Sequence, residues 1–238
     1  MKTSFDQINL KAFSLLELSL VMIIMSLLIV VTFSAKRLLY SAEIGNLVSS
    51  TNKLESSIGV FVSVYETFPG DMVNASSYWN DVDLHDGDGD DKIELLEYES
   101  TNALIHLHAA QMIQSQDWNY DSIYEGYEME SFEEGKAAII SKVNNEGTDR
   151  DGFDYAIDDG NYIKFGGGVN NDDMIFTPTE MYLIDSKIDN GNAKNGKMVI
   201  KLNSEEENTC SDTDGVFTTS NVNDSCMFLY KIDVLAPE

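Results

Sequence analysis

The chain has 238 residues, 43% of them hydrophobic, and 41 Asp and Glu residues outnumber 15 Lys and Arg residues, for a formal net charge of −26. This length accommodates one good-sized domain and a separate segment. The first 53 residues carry five basic and three acidic residues, a net +2, so residues 54–238 carry −28. Nucleic acid phosphates repel so acidic a domain, which argues against nucleic acid as a partner. The excess of acidic residues indicates a heavily solvated surface, divalent cation binding, or both.

Near the N-terminus, residues 18–35 form an uncharged segment rich in Leu, Ile, Val and Met. A helix of this length rises about 27 Å, close to the hydrocarbon thickness of a bilayer. Basic residues lie on both sides of it and do not decide its orientation, but the acidic body suits export. A cleaved secretory signal is the competing interpretation. The apolar run is long for a signal core, and residues 32–35 make a poor cleavage site.

The sequence after this segment predicts that the helix continues. Apolar residues in 36–66 recur mostly at spacings of three, four, seven or eight, which is typical of one stripe of a helix. We therefore predict one helix from about Phe13 to about Glu66, stopped by Phe68-Pro69-Gly70. Its first part, residues 13–35, would lie in lipid, and its second part would be amphipathic.

The segment KAFSLLE, residues 11–17, precedes the hydrophobic run and resembles the N-terminal signal of type IV pilins and type II secretion pseudopilins. The resemblance implies a leader, residues 1–12, that a prepilin peptidase removes between Ala12 and Phe13, followed by methylation of Phe13. Ala12 departs from the usual glycine. The resemblance also implies a single-pass protein of a Gram-negative inner membrane, with residues 67–238 as a periplasmic globular domain. An inner-membrane assembly platform would then polymerise it with itself or with sister pilins.

Glu17 places a charge at the edge of this apolar run. An unpaired charge costs about 2.5–3.5 kcal/mol at the centre of a membrane-spanning helix, so its presence here needs a reason. The resemblance implies a reason. Glu17 would be the fifth mature residue, and in the family this glutamate pairs with the N-terminal amine of a neighbouring subunit, which sets axial register. Within one helix, residues 13 and 17 are one turn apart and could pair weakly. Alternatively, Glu17 lies at the membrane interface and has no role in assembly.

Pro69-Gly70-Asp71 predicts a turn, and it resembles the segment after the long helix in a subset of bacterial prepilin-like proteins. The acidic loop that follows, residues 86–97, reads DGDGDDKIELLE and matches the alternating oxygen ligands of a twelve-residue calcium loop. The predicted ligands of one calcium ion are Asp86, Asp88, Asp90, the Lys92 carbonyl, Glu94 and Glu97. Asp91 occupies the usual glycine position, where aspartate tolerates a left-handed backbone. The alternative is a solvated acidic turn that caps the next helix.

That second helix is predicted from about Ile93 or Glu94 to Gln114, and beyond Trp118 short β-type runs follow. The runs are NYIKF, DMIF, EMYLID, GKMVIKL and CMFLYKID. They predict an antiparallel sheet packed on the C-terminal half of the long helix, which gives an α+β, pilin-like fold. The resemblance covers residues 13 to about 110 and about 181 to 230, and leaves residues 115–180 unplaced.

Cys210 and Cys226 do not match the close spacing of a zinc site. In an exported protein they would form a disulfide, whereas in a cytosolic protein they would be reduced thiols. No catalytic motif is present, so an enzyme is not expected. Two classes of function remain. One is a filament subunit of a pilus or pseudopilus, and the other is a membrane-anchored, extracytoplasmic calcium-binding module that does not polymerise.

Overall fold

The computed structural model divides the chain into two compact units, Met1–Ala42 and Glu43–Glu238. The described residues are 14–79, 84–93, 99–113, 119–120, 127–128, 135–142, 160–167, 174–200, 210–212, 214–223 and 226–234. The predicted leader and its cleavage site, Ala12 and Phe13, lie outside them.

The first helix, α1, spans Leu15–Tyr65 and has 51 residues, as the sequence predicted to within two residues at each end. In the second unit one stripe of this helix is buried, at spacings of three, seven, four and three residues. The stripe consists of Ile44, Leu47, Leu54, Ile58 and Phe61. Glu66 then adopts a left-handed backbone, with φ 56°, and Pro69 follows, so the helix ends where the Pro-Gly signal predicted.

The second unit contains the predicted antiparallel sheet, which confirms the α+β class. Its strands are β1 Asn119–Tyr120, β2 Tyr127–Glu128, β3 Gly135–Lys142, β4 Gly160–Gly167, β5 Met198–Ile200 and β6 Phe228–Lys231. They pair in the order β1-β2-β3-β4-β6-β5, and every pairing is antiparallel. The rings of Phe165 and Phe228 stack at 4.5 Å between centroids across β4 and β6, so the centre of the sheet lies in the core.

The second predicted helix is shorter than its pattern indicated. It comprises α3, Glu99–Ala109, and residues 94–98 lie outside the described residues. The expected end at Gln114 was wrong because Gln111 adopts a left-handed backbone, with φ 58°, which an α-helix cannot continue through. A single-turn helix, α2, spans Ala75–Tyr78.

The segment EMYLID forms a helix, so its assignment as a β-type run was wrong. It belongs to α4, Pro178–Ile188, which begins with a capping box. The Thr177 side chain accepts a hydrogen bond from the Glu180 N–H, and the Glu180 carboxylate accepts one from the Thr177 N–H at 2.7 Å. Pro178 adds a backbone angle suited to the first helical position. These end signals override the β propensity of Tyr182 and Ile184.

Cys210 and Cys226 form the predicted disulfide. Cys226 also exchanges backbone hydrogen bonds with Phe176, at 3.0 and 3.1 Å, so the bridge connects the segment after β5 with the segments before α4 and β6. A disulfide is typical of an oxidising compartment, which agrees with an exported second unit.

Glu55 connects α1 to the sheet. Its Oε1 lies 2.6 Å from Lys197 Nζ, and its Oε2 accepts a hydrogen bond from the Tyr230 hydroxyl at 2.7 Å. The Asp233 N–H also donates to Oε1, at 3.2 Å. Burial by itself raises the pKa of Glu55, but these hydrogen bonds outweigh burial and bring the pKa below its ordinary value.

We expect Glu55→Gln to destabilise the second unit by about 1–3 kcal/mol at neutral pH, because the buried Tyr230 hydroxyl and the partly buried Lys197 ammonium group lose a charged acceptor. Since the folded pKa is lowered, the contribution is present above the unfolded pKa of 4.5 and is lost as pH falls through the folded pKa. Urea unfolding of the full chain in detergent, at pH 7 and pH 3, checks this. Glu43→Gln, at an exposed position of the same helix, is the control. Equal loss in both variants would contradict a role for the Glu55 contacts.

Candidate functional site

In the first unit, the apolar segment of α1 is exposed along its whole length. Leu15–Thr32 is long and apolar enough to cross a membrane, and none of its residues is buried. Its large hydrophobic side chains are 49% to 88% exposed. Water solvates so large an apolar surface poorly, and the length and composition of the segment suit a membrane span.

Glu17, the single charged residue of this segment, caps the beginning of α1. Its Oε2 accepts a hydrogen bond from the Ser14 N–H at 3.0 Å, and Ser14 Oγ accepts one from the Leu16 N–H at 3.2 Å. Ser14 and Glu17 therefore form a reciprocal cap of the capping-box kind, and the carboxylate lies at the positive end of the helix dipole. The Ser-x-x-Glu spacing of residues 14–17 is a sequence signature of such a cap, but it was not used to predict one.

In the second unit, three carboxylates from separate segments converge. Asp71 follows the Pro-Gly turn, Asp88 lies in the acidic loop and Glu99 begins α3, and one oxygen of each lies within 4.8 Å of the others. Asp71 and Glu99 are each 1% exposed, whereas Asp88 is exposed. We refer to these three residues as the acidic cluster. It could hold a metal ion, and its hard oxygen atoms suit calcium or magnesium.

The acidic loop folds around Asp71. Asp71 Oδ1 accepts hydrogen bonds from the N–H groups of Gly89 and Asp90 at 2.7 and 3.1 Å, and Oδ2 accepts one from Asp91 at 2.9 Å. Gly89 and Asp91 have φ of 80° and 66°. Asp91 thus adopts the left-handed backbone anticipated at its position, and the loop directs three successive N–H groups at one carboxylate.

His106 of α3 joins the two segments that lead to Asp71 and Asp88. Its Nδ1 accepts a hydrogen bond from the Gly70 N–H at 2.9 Å, and its Nε2 lies 3.0 Å from the His85 carbonyl oxygen. These partners require the neutral tautomer protonated at Nε2. Burial lowers the pKa of His106 to about 4, against the opposing effects of the His85 carbonyl and the Asp86 charge. The ring therefore stays neutral at pH 7 and links the backbone at Gly70 to the backbone at His85.

Burial makes the charged form of Asp71 unfavourable. Burial raises the pKa of Asp71 to about 6, although the three loop N–H groups oppose the shift, and the neighbouring Asp90 charge adds to it. Glu99 Oε1 accepts a hydrogen bond from the Asp88 N–H at 3.1 Å. A divalent ion among the three carboxylates would relieve their mutual repulsion.

Four of the predicted calcium ligands, Asp86, Asp88, Asp90 and Lys92, lie among the described residues. Of these four, Asp88 belongs to the acidic cluster. The Asp86 carboxylate accepts hydrogen bonds from the N–H and Oγ of Ser76, at 2.8 and 3.0 Å. Asp90 forms an ion pair with Lys92 Nζ at 3.0 Å. The predicted ligands Glu94 and Glu97 lie outside the described residues.

Sequence reasoning did not assign Asp71 or Glu99 to the site. It interpreted Pro-Gly-Asp as a turn, and it placed Glu99 within the second helix.

Comparison with known proteins identifies no relative of this chain. No family model matches the chain, nor does any curated protein or solved structure. The functional interpretation therefore depends on two features, namely the exposed apolar helix that Glu17 caps and the acidic cluster of the second unit.

Proposed function

We propose that the protein is a structural subunit of a type IV pilus-like or type II secretion pseudopilus filament. The observation that carries this proposal is the position of Glu17. It is the single charge of the exposed apolar segment Leu15–Thr32, lies in the first turn of α1, and is the fifth residue after the Ala12–Phe13 bond, which resembles a prepilin cleavage site. A charge at this position is costly in lipid unless a cation accompanies it.

Processing would create that cation. Cleavage after Ala12 leaves a positively charged amine on Phe13, and in a filament the amine of one subunit would meet Glu17 of its neighbour. The local cap is compatible with this pairing, since the Ser14 N–H engages Oε2 and a carboxylate accepts several hydrogen bonds. Prepilin peptidase, an inner-membrane assembly platform, and copies of this chain or sister pilins would be the partners.

The membrane topology follows from the same proposal. The apolar part of α1 would anchor the chain in the inner membrane before assembly, with the second unit in the periplasm and no catalytic role. The disulfide supports that side of the membrane. The charge of −28 on residues 54–238 argues against nucleic acid as a ligand.

We also propose that the acidic cluster binds one calcium ion that stabilises the second unit. Asp71, Asp88 and Glu99 supply the carboxylates. Calcium accepts six to eight oxygen ligands in flexible geometry, whereas magnesium demands a near-ideal octahedron. Carboxylates that come from a turn, a loop and a helix end fit the flexible coordination of calcium better. The ion would hold the acidic loop between the end of α1 and the beginning of α3.

One observation favours a second candidate function, a membrane-anchored calcium-binding module that does not polymerise. The contact between Glu17 and Ser14 gives the carboxylate a helix-capping role that needs no neighbouring subunit. In that case the chain would keep its N-terminus, and the acidic cluster would be its principal functional site.

Substitution of Ala12 tests processing. We expect Ala12→Trp to block the peptidase for steric reasons, so that cells accumulate a membrane-bound precursor about 12 residues longer than the mature chain. Ala12→Gly, which restores the residue usual in the family, is the matched control and should be processed at least as well as the natural chain. Immunoblots of membrane fractions from cells with and without prepilin peptidase give the readout. Equal mobility of the Trp and Gly variants in both strains would contradict cleavage at this bond.

A further inference from the structure

Two Asn-Gly pairs lie in the loop between α4 and β5, at residues 190–191 and 195–196. Asparagine is a thermolabile residue, and it deamidates most readily before glycine. Glycine has no side chain to hinder the attack of its own backbone nitrogen on the preceding asparagine side chain. Both pairs therefore share the same intrinsic reactivity, and the folded structure decides which of them reacts.

The two asparagine side chains are held differently. Asn190 Oδ1 accepts a hydrogen bond from the Asn192 N–H at 2.7 Å, and its Nδ2 donates to the Asn195 backbone carbonyl at 2.8 Å. The exposed Asn195 side chain makes one hydrogen bond among the described residues, from Nδ2 to Asn192 Oδ1 at 3.2 Å. Rotation of the side chain toward the next glycine therefore breaks two hydrogen bonds at Asn190 and one at Asn195.

The two glycine nitrogens, which are the nucleophiles, also differ. The Gly191 N–H donates to the buried Asp185 carboxylate, and a Cβ at Gly191 would lie 2.9 Å from Ser186 Oγ, so this glycine packs against α4. Gly196 is exposed, and its N–H donates no hydrogen bond among the residues that the structure describes. Water and hydroxide therefore reach the Gly196 nitrogen directly.

The loop needs glycine at position 196. Its φ is 111°, in the region that favours glycine, and a Cβ there would collide with the Asp189 carboxylate. A larger residue, which would slow the attack on Asn195, does not fit. The reactive pair is thus a consequence of the path that the loop takes past Asp189.

We propose that Asn195 is a site of spontaneous deamidation and that its conversion weakens the second unit. The Gly196 nitrogen, after losing its proton to hydroxide, attacks the carbonyl carbon of the Asn195 side chain. The bond from that carbon to the amide nitrogen breaks, and the nitrogen takes up a proton from water and leaves as ammonia. Water then opens the resulting succinimide at either carbonyl group and gives aspartate or isoaspartate. The net reaction consumes one water and releases one ammonia.

Conversion of Asn195 changes the segment that leads into β5. Isoaspartate adds a methylene group to the backbone before Gly196, and either product adds a negative charge. Lys197 follows directly, with its N–H bonded to Asp189 and its ammonium group paired with Glu55 of α1. A shift of this segment therefore disturbs the contact that connects α1 to the sheet. The inference depends neither on calcium binding nor on filament assembly.

Peptide mapping of aged protein tests the site. The full chain in detergent is incubated at mildly alkaline pH, with and without urea, and a glutamate-specific protease then releases residues 181–205 at acidic pH, where deamidation is slow. Fragmentation mass spectrometry locates each amide-to-acid conversion within this peptide. We expect Asn195 to convert at least about tenfold faster than Asn190 in the folded chain, a difference in barrier of about 1.4 kcal/mol. In urea the two should convert at comparable rates, and Asn192, which precedes alanine, should convert least in both conditions.

Asn195→Gln separates deamidation from other effects of ageing. Glutamine keeps the amide group, but its cyclisation through a larger ring is far slower. We expect the natural chain to lose stability toward urea in step with conversion of Asn195, and the Gln variant to retain its stability. If Asn195 and Asn190 convert at the same rate in the folded chain, or if neither converts there while both convert in urea, the site is overturned. Equal loss of stability by the two aged chains would overturn the effect on the second unit.

Discussion

Glu17→Val is expected to leave membrane insertion intact while removing nearly all incorporation of the chain into filaments. Valine lowers the free-energy cost of inserting the apolar segment of α1 into lipid, because Glu17 is the single charged residue of that segment. Assembly would fail because the Phe13 amine of the neighbouring subunit then lies in an apolar environment with no counter-charge. The measurement compares the chain in sheared filament fractions with the chain in membranes.

Glu17→Gln separates this pairing role from helix capping. Glutamine can still accept the Ser14 N–H, as a capping box allows, so the beginning of α1 stays capped. It carries no charge, however, and cannot neutralise an amine. We expect the Gln variant to assemble as poorly as the Val variant. Assembly at the natural level by Gln, with failure of Val, would mean that Glu17 acts only as a cap.

Removal of calcium is expected to lower the stability of the second unit substantially. An ion that binds only the folded state, present at a hundredfold excess over its Kd, adds about 2.7 kcal/mol to the free energy of unfolding. The full chain in detergent should therefore melt higher in calcium than in chelator, and magnesium should be a poor substitute. Asp88→Asn and Glu99→Gln should each remove most of the shift that depends on the acidic cluster.

Asp86→Asn is the matched control for the acidic cluster. Its carboxylate accepts hydrogen bonds from Ser76, so the variant should lose stability equally in calcium and in chelator, and its calcium-dependent shift should stay unchanged. Loss of the shift in Asp86→Asn, with retention in Glu99→Gln, would favour the twelve-residue loop ligands over the acidic cluster. If the natural chain has the same melting temperature in calcium and in chelator, the calcium proposal is contradicted. The acidic loop would then be a solvated turn.

The long helix was predictable because its signals are local. A continuous apolar stripe specifies α1, and a Pro-Gly turn specifies its end. The same kind of signal was available for α4, where Thr177, Pro178 and Glu180 form the N-terminal cap. The short apolar run of EMYLID fits a strand or a helix equally well by pattern, and only those cap residues distinguish the two.

The centre of the sheet and the acidic cluster depend on tertiary structure. Residues Ala137–Ile140 of β3 are all buried, so this strand lacks the alternation that reveals a half-exposed strand. Asp71 and Glu99 are separated along the chain and converge only because the loop and His106 bring α3 against the turn after α1. The spacing of residues along the chain therefore does not predict that Asp71 and Glu99 lie close together.

The mass of the N-terminus tests the filament proposal most directly. Intact-mass and N-terminal peptide measurements on the sheared filament fraction should give a chain that begins at Phe13 and carries one methyl group on its amine. A chain that keeps Met1, confined to the membrane and missing from the filament fraction of a strain with active prepilin peptidase, would contradict the proposal. That result would favour the membrane-anchored calcium-binding module.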